Sequence, residues 1–235
     1  MTSTTDRPLQ GDTIIFTGSS LPEEAVKLAA SYGANVQYVP LIETVPTDEP
    51  APDLHEYDWL IFTSASAVEA FHEQHARPKA KIAAVGSKTA AALEQAGYHV
   101  DFVPSVFAAD AFIREFPEVA PDGRCLFIRG ARAKDTIYQL PLAVDDWTVY
   151  DTAPCRGNAE RLARMTDAIV IFASPSAVET YMEAGGQWRT IEAAAIGYVT
   201  EQAIKQAGGR VSAVPANHTY PDVIRTIVKG RVQND

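Results

Sequence analysis

Phe62-Thr-Ser-Ala-Ser-Ala-Val-Glu69 returns, little altered, as Phe172-Ala-Ser-Pro-Ser-Ala-Val-Glu179, an offset of 110 residues. Each stretch leaves an apolar run, Trp59 to Phe62 or Ala168 to Phe172, and passes through small hydroxylated residues into a segment of helical period. A buried strand, a tight junction and a helix form the repeating unit of a parallel α/β sheet. The likeness continues downstream. Ala84-Val-Gly86 with Thr89, Gln95-Ala-Gly97 and Val103-Pro104 reappear as Ala195-Ile-Gly197 with Thr200, Gln206-Ala-Gly208 and Val214-Pro215. Gly11 to Gly18 pairs with Gly123 to Gly130, and Glu43-Thr-Val-Pro46 with Asp151-Thr-Ala-Pro154. Internal likeness of this extent means two copies of one unit, hence two similar lobes.

Further strands are expected at Thr13 to Phe16, Ile82 to Val85, Cys125 to Ile128 and Ala193 to Ile196, where apolar residues run without alternation. Helices are expected over Glu23 to Ser31, Ala67 to Gln74, Thr89 to Gln95, Ala177 to Glu183 and Thr200 to Gln206. All but the second are followed by a glycine suited to a C-cap: Gly33, Gly97, Gly185 and Gly208. Ser20 with Glu23, Ser66 with Glu69 and Ser176 with Glu179 fit capping boxes, and Pro175 suits a first helical position. The helix after Lys134 is short and interrupted by Pro141. Two arrangements satisfy the repeat: tandem domains divided near Pro121, or lobes that exchange chain through the look-alike links Ile42 to Pro46 and Tyr150 to Pro154.

Composition removes several classes of function. A net charge of -10 lacks the basic footprint that nucleic acid or an anionic membrane surface requires. No apolar run approaches the roughly 18 residues of a spanning helix, and Met1 to Asp12 is polar with no apolar signal core, so a cytoplasmic protein is expected. Cys125 and Cys155 are too few and too far apart in character for a disulfide framework or a zinc knuckle. His72 and His75 share a helix face, yet no cysteine or carboxylate cluster completes a metal site, so they are expected as solvated surface residues. Dinucleotide, Walker, nucleophile-elbow and zincin motifs are all absent.

What remains is a set of six junctions of one composition: Thr17-Gly-Ser-Ser20, Thr63-Ser-Ala-Ser66, Gly86-Ser-Lys-Thr89, Arg129-Gly-Ala-Arg132, Ser174-Pro-Ser176 and Gly197-Tyr-Val-Thr200. Each alone reads as a well-made helix start. Together they line the carboxyl ends of the strands, where open parallel sheets bind ligands. Free amides and the positive end of each helix attract an anion by about 0.3 to 1 kcal/mol apiece, so several could hold a polycarboxylate without a basic surface.

The strings Asp58-Trp-Leu-Ile-Phe-Thr-Ser-Ala-Ser-Ala-Val, Lys81-Ile-Ala-Ala-Val-Gly, Phe127-Ile-Arg-Gly, Thr148-Val-Tyr-Asp-Thr and Ile171-Phe-Ala-Ser-Pro-Ser resemble those of uroporphyrinogen-III synthases. The ordered set spans nearly the whole chain. The resemblance implies two flavodoxin-like parallel-sheet lobes joined by a two-stranded connector, with an active-site cleft between them. It would place residues 1–41 and 155–235 in one lobe, 46–149 in an inserted second lobe, and 42–45 with 150–154 in the connector. The implied substrate is hydroxymethylbilane, closed to uroporphyrinogen III through a spiro intermediate that inverts the last ring, without cofactor or metal. A monomer is expected.

By the same resemblance Tyr150, in the Thr-Val-Tyr pattern, assists departure of the terminal hydroxyl. Thr17, Ser19, Thr63, Ser64, Ser66, Gly86, Ser87, Thr89, Ser174, Pro175, Ser176, Gly197 and Thr200 would bind substrate carboxylates at the junctions. Gly18 departs from the pattern, standing where many relatives have arginine, so that contact is either missing or supplied by Arg129 or Arg132. Two rivals stand beside this reading: a non-catalytic two-lobed module that binds a tetrapyrrole or small anion, and a glycosyltransferase, for which no nucleotide site is visible.

Overall fold

A computed structural model describes residues 7–74, 78–106 and 109–234; His75 lies outside them. In chain order the strands are β1 (Thr13–Phe16), β2 (Asn35–Tyr38), β3 (Ile42–Pro46), β4 (Trp59–Phe62), β5 (Lys81–Ala84), β6 (Cys125–Gly130), β7 (Val144–Pro154), β8 (Ala168–Phe172), β9 (Ile191–Ala195) and β10 (Val211–Ala213). The helices are α1 (Glu23–Ser31), α2 (Ala65–Gln74), α3 (Ser87–Gln95), α4 (Ala109–Val119), α5 (Arg156–Ala163), α6 (Pro175–Glu183), α7 (Tyr198–Gln206) and α8 (Tyr220–Asn234). The chain divides into two compact units, one taking in the stretch through Glu43 and that from Ala153, the other Thr44–Thr152.

The first unit carries a sheet of order β10-β9-β8-β1-β2, all of whose defined pairs are parallel. Its central strands are buried on both faces. Ile15, Val170, Phe172 and Ala193 meet Leu162, Val178 and Tyr181 on one side, while Ile14, Phe16, Ile169 and Ile171 meet Ala25, Val223, Ile224 and Ile227 on the other. Burial on both faces is why these strands read as unbroken apolar runs. At the far end of α8, Arg231 joins Asp12 (3.1 Å) and Glu192 (2.7 Å), tying the helix to the approach to β1 and to β9.

The second unit repeats the plan with the order β3-β7-β6-β4-β5. Leu60, Phe62, Leu126, Ile128, Trp147 and Val149 pack with Val68, Phe71 and Leu93, whereas Trp59, Ile61 and Phe127 pack with Phe112, Phe116 and Ile137. Phe112 and Phe116 stack at 4.8 Å, and Trp59 meets Phe116 edge-on at 5.0 Å. Such aromatic pairs add to the area they bury. The segment expected as a helix after Lys134 is a single 3-10 turn, Asp135–Gln139.

Four of the five expected helices begin two residues earlier than expected, and the capping assignments move with them. Ser64, not Ser66, caps α2, its Oγ accepting from Ala67 N at 3.1 Å; Ser174, not Ser176, caps α6, accepting from Ala177 N at 3.2 Å with Pro175 as first helical residue. Pro22 stands before α1 with no side-chain cap. The cause is geometric: the small residues of each junction continue directly from strand to helix, so the turn is tighter than a capping-box spacing requires. The glycines past the helices do behave as anticipated, Gly33, Gly97, Gly185 and Gly208 all taking positive φ. Ser174→Ala is expected to lower the unfolding free energy by about 1 kcal/mol, visible as a thermal midpoint about 2–4 °C lower.

Both thiols are free, Cys125 buried and Cys155 partly so. Burial pushes the Cys125 thiol up to about 11. It behaves as a small core hydrophobe rather than a nucleophile.

Candidate active site

Each sheet has one place where the chain turns from building outward on one side to building outward on the other. In the first it lies between β1 and β8; in the second, between β4 and β6. Crevices beyond the carboxyl ends of such strand pairs are the favoured ligand sites of open α/β sheets.

In the second unit this crevice is built by β4, β6 and β7. Thr63 and Ser64 follow β4, Gly130 ends β6, and Tyr150 comes from β7. The register along β6 and β7 runs Ile128↔Trp147, Arg129↔Thr148, then Gly130↔Tyr150, so β7 holds one extra residue at this point. A bulge of this kind re-aims the side chains beyond it. The Tyr150 ring lies across Gly130: a Cβ built there would be 2.4 Å from the ring Cζ and 2.7 Å from Oη. The Tyr150 hydroxyl is 3.2 Å from Ser64 Oγ, whose acceptor side already receives the Ala67 amide. Either hydroxyl can donate in this pair, and with Ser64 donating to Tyr150 Oη the Tyr150 proton is turned to a ligand.

A cavity of about 330 Å³ opens here, and Thr63, Ser64, Tyr150, Thr152, Arg132, Lys134 and Thr136 are among the residues that line it. That volume is at the small end of ligand sites, enough for part of a large substrate. Arg132 and Lys134 supply positive charge that the net balance of the chain conceals. Arg132 is half-exposed, 3.9 Å from Asp151.

Other residues of the candidate set have different surroundings. Arg129 turns away from the cavity. Its Nη2 donates to Ala133 O at 2.8 Å, its Nη1 donates to Tyr138 Oη at 2.6 Å and lies 3.6 Å from Asp135, and its side chain is 12% exposed. It braces the loop that presents Arg132 and Lys134. Thr17 is fully buried and donates to Ile171 O at 2.8 Å, tying β1 to β8. Thr89 and Thr200 are buried in the first turns of α3 and α7. Ser19 and Ser87 are exposed, and Ser66 and Ser176 lie half-buried in the first turns of α2 and α6.

The repeat extends to the helix starts. In each unit one helix is capped by a serine, Ser64 or Ser174, and the next begins after a glycine, Gly86 or Gly197, with no side-chain cap. First-turn amides lacking a side-chain acceptor are ready donors for an anion. Sequence reading did not single out Lys134, nor the apolar exposure beside these junctions: Leu21 at 48%, Tyr198 at 61% and Val199 at 58%. Exposed apolar side chains next to free amides suit a ligand with both carboxylates and flat apolar rings.

His72 is paired, its Nδ1 3.1 Å from Tyr98 Oη. Among the described residues no three His, Cys, Asp or Glu side chains converge on a metal site, and no helix is long and apolar enough to cross a membrane.

A family model described as "Uroporphyrinogen-III synthase HemD" matches residues 23–225. The chain is 36% identical over 140 residues to the uroporphyrinogen-III synthase of Synechococcus elongatus, an alignment that covers 53% of this chain and only about half, 52%, of that relative. It is 26% identical over 229 residues to the uroporphyrinogen-III synthase of Chlorobaculum parvum, covering 87% of this chain and 92% of the relative. In fold it is similar to the uroporphyrinogen-III synthetase of Helicobacter pylori 26695, with a TM-score of 0.73 at 15% identity, over 93% of this chain and 99% of that one.

Proposed function

The chain belongs to the uroporphyrinogen-III synthase family, and from that premise we propose that it dehydrates and closes hydroxymethylbilane to uroporphyrinogen III, inverting the terminal ring, as a cofactor-independent cyclising lyase. The observation that carries the assignment of roles is the phenol of Tyr150 held over Gly130 and beside Ser64, at the mouth of a cavity bearing Arg132 and Lys134. A phenol O–H donates a hydrogen bond. In the proposed reaction the Tyr150 O–H donates to the terminal hydroxyl of the bilane. The C–O bond breaks as electrons from the pyrrole nitrogen form an azafulvene; the hydroxyl leaves as water with the tyrosine proton, and the proton lost from the pyrrole N–H restores the phenol. The substituted α-carbon of the last ring attacks the azafulvene methylene, giving the spiro intermediate. The bond from that carbon to its old bridging methylene then breaks and re-forms at the ring's free α-carbon, which loses its proton, so that the ring is inverted.

The bilane also closes unaided to the uninverted type I isomer, so the enzyme acts by holding one conformation. Each tenfold advantage over that background corresponds to about 1.4 kcal/mol of barrier. Thr63, Ser66, Ser87, Ser174, Ser176 and the open helix starts at Gly86 and Gly197 are proposed to receive substrate carboxylates, with Arg132 and Lys134 as cationic contacts. Arg129 is assigned the support of their loop, and Thr17, Thr89 and Thr200 the support of the junction backbone. The protein is proposed to act as a cytoplasmic monomer. The test is to supply freshly generated hydroxymethylbilane and separate the oxidised products by isomer. Predominantly type III is expected; only type I, as in a protein-free blank, would leave a non-catalytic tetrapyrrole-binding module as the better account.

A further inference from the structure

Gly18 follows β1 at the carboxyl edge of the first unit's sheet. A Cβ built on it would lie 2.2 Å from Tyr220 Oη, 3.4 Å from Tyr220 Cζ and 3.3 Å from Ala173 Cβ. Only a residue without a side chain leaves room for the phenol here, between the ends of β1 and β8 where the sheet changes direction. Gly18 is also the counterpart of Gly130 in the internal repeat, and the missing Cβ of Gly130 accommodates Tyr150 in the same way. The two phenols arrive from places that the repeat does not relate, one from a strand, the other from the first residue of α8. Each unit thus sets a tyrosine hydroxyl over the glycine of its central crevice by a different route.

Tyr220 is held rather than adrift. Thr219 Oγ1 donates to Asp222 Oδ2 at 2.8 Å and accepts from Asp222 N at 3.3 Å, a reciprocal cap that fixes the start of α8. Phe16 meets the Tyr220 ring edge-on at 5.6 Å, and Val223, Ile224 and Ile227 are buried beneath the helix. Yet the Tyr220 hydroxyl has no hydrogen-bond partner among the described residues. A largely buried phenol in that state carries a desolvation cost that a ligand would relieve. Burial, and then the nearby Tyr38, push Tyr220 above the usual phenol range, so it remains a protonated donor.

We propose that Tyr220 is a substrate-binding residue whose hydroxyl donates to a carboxylate of the tetrapyrrole at the β1–β8 crevice, in the place that the arginine of many relatives would fill. This rests on the synthase reading for the identity of the ligand, though not for the existence of the donor. His218, from the same segment, lies over Gly197, whose Cβ would be 2.8 Å from the imidazole Cγ. The stretch leading into α8 therefore roofs two junctions of this sheet.

The test compares wild type with Tyr220→Phe in hydroxymethylbilane kinetics and in the thermal shift produced by uroporphyrin III, an octacarboxylate that needs no turnover. Phe keeps the ring contacts and removes a buried hydroxyl that has no partner among the described residues, so the ligand-free melting temperature should not fall. KM should rise about tenfold, equivalent to about 1.4 kcal/mol, with kcat within about twofold, and the uroporphyrin III shift should shrink. Adding Gly18→Arg to Tyr220→Phe should restore affinity, because removing the hydroxyl removes the 2.2 Å collision; Gly18→Arg alone should not. Equal KM and equal shift for wild type and Tyr220→Phe, with type III product from both, would overturn the role of Tyr220 and leave the synthase intact. Only type I from wild type, with a uroporphyrin III shift that still depends on Tyr220, would keep the anion contact and discard the activity. No shift and no type III would overturn both.

Discussion

Tyr150→Phe is expected to lower kcat for the type III isomer by about a hundredfold, the low end of what a positioned proton donor contributes, while KM and the melting temperature stay close to wild type. The ring remains over Gly130 and in contact with the core around Trp147 and Val149, so only the O–H and its 3.2 Å contact with Ser64 are lost. A fall in kcat without a rise in KM is the pattern of an interaction made in the transition state. The isomer ratio should follow. As the enzymatic route slows, unaided closure of the bilane takes a larger share, and type I should accumulate in place of type III. A variant that still turns over at the wild-type rate would reduce Tyr150 to a packing residue beside the cavity.

Gly130→Ala should damage stability and catalysis together. The new Cβ would stand 2.4 Å from Tyr150 Cζ and 2.8 Å from Cε1, distances at which the ring must move. Gly130 does not occupy a left-handed conformation, so the cost is the collision and not backbone strain. Forcing an extra methyl into a packed site of this kind costs about 1 to 3 kcal/mol, measurable by denaturant unfolding of the variant against wild type. Displacing the ring also breaks the approach of its hydroxyl to Ser64, so the loss in kcat should match that of Tyr150→Phe. Combining the two substitutions separates the effects. Phe retains the ring atoms that collide, so the stability loss should persist, whereas the catalytic losses should not add because one hydroxyl accounts for both.

The runs at Thr13 to Phe16, Trp59 to Phe62 and Ala168 to Phe172 matched their strands residue for residue because both faces of those strands are buried. The edge strands of the first sheet were not legible for the opposite reason. Asn35–Tyr38 contains no fully buried residue, and Val211–Ala213 is three residues long. Val144–Pro154 mixes exposed Asp145 and Asp146 with buried Trp147 and Val149, a pattern that neither a solvated nor a buried strand presents. In the site, Tyr150 was visible through its family pattern and Ser64 through the internal repeat. Their contact, across 86 residues of sequence, depends on the β6–β7 register and on one extra residue in β7. Tyr220 gave no signal of its own; the trace it left was a glycine, Gly18, at a position where an arginine was expected.

The division of the first unit between two distant stretches of chain also bears on how the protein is made. β1 lies inside its sheet, between β2 and β8, so Thr13 finds one neighbour soon at Asn35 and the other only at Ala168. During synthesis the second unit can emerge whole while β1 and β2 still lack a sheet to join, which reverses the usual N-terminal-first order. Closing that long-range pairing is slow relative to local contacts. The β1–β8 crevice, with Thr17 bonded to Ile171 and Tyr220 seated over Gly18, is completed only when α8 leaves the ribosome.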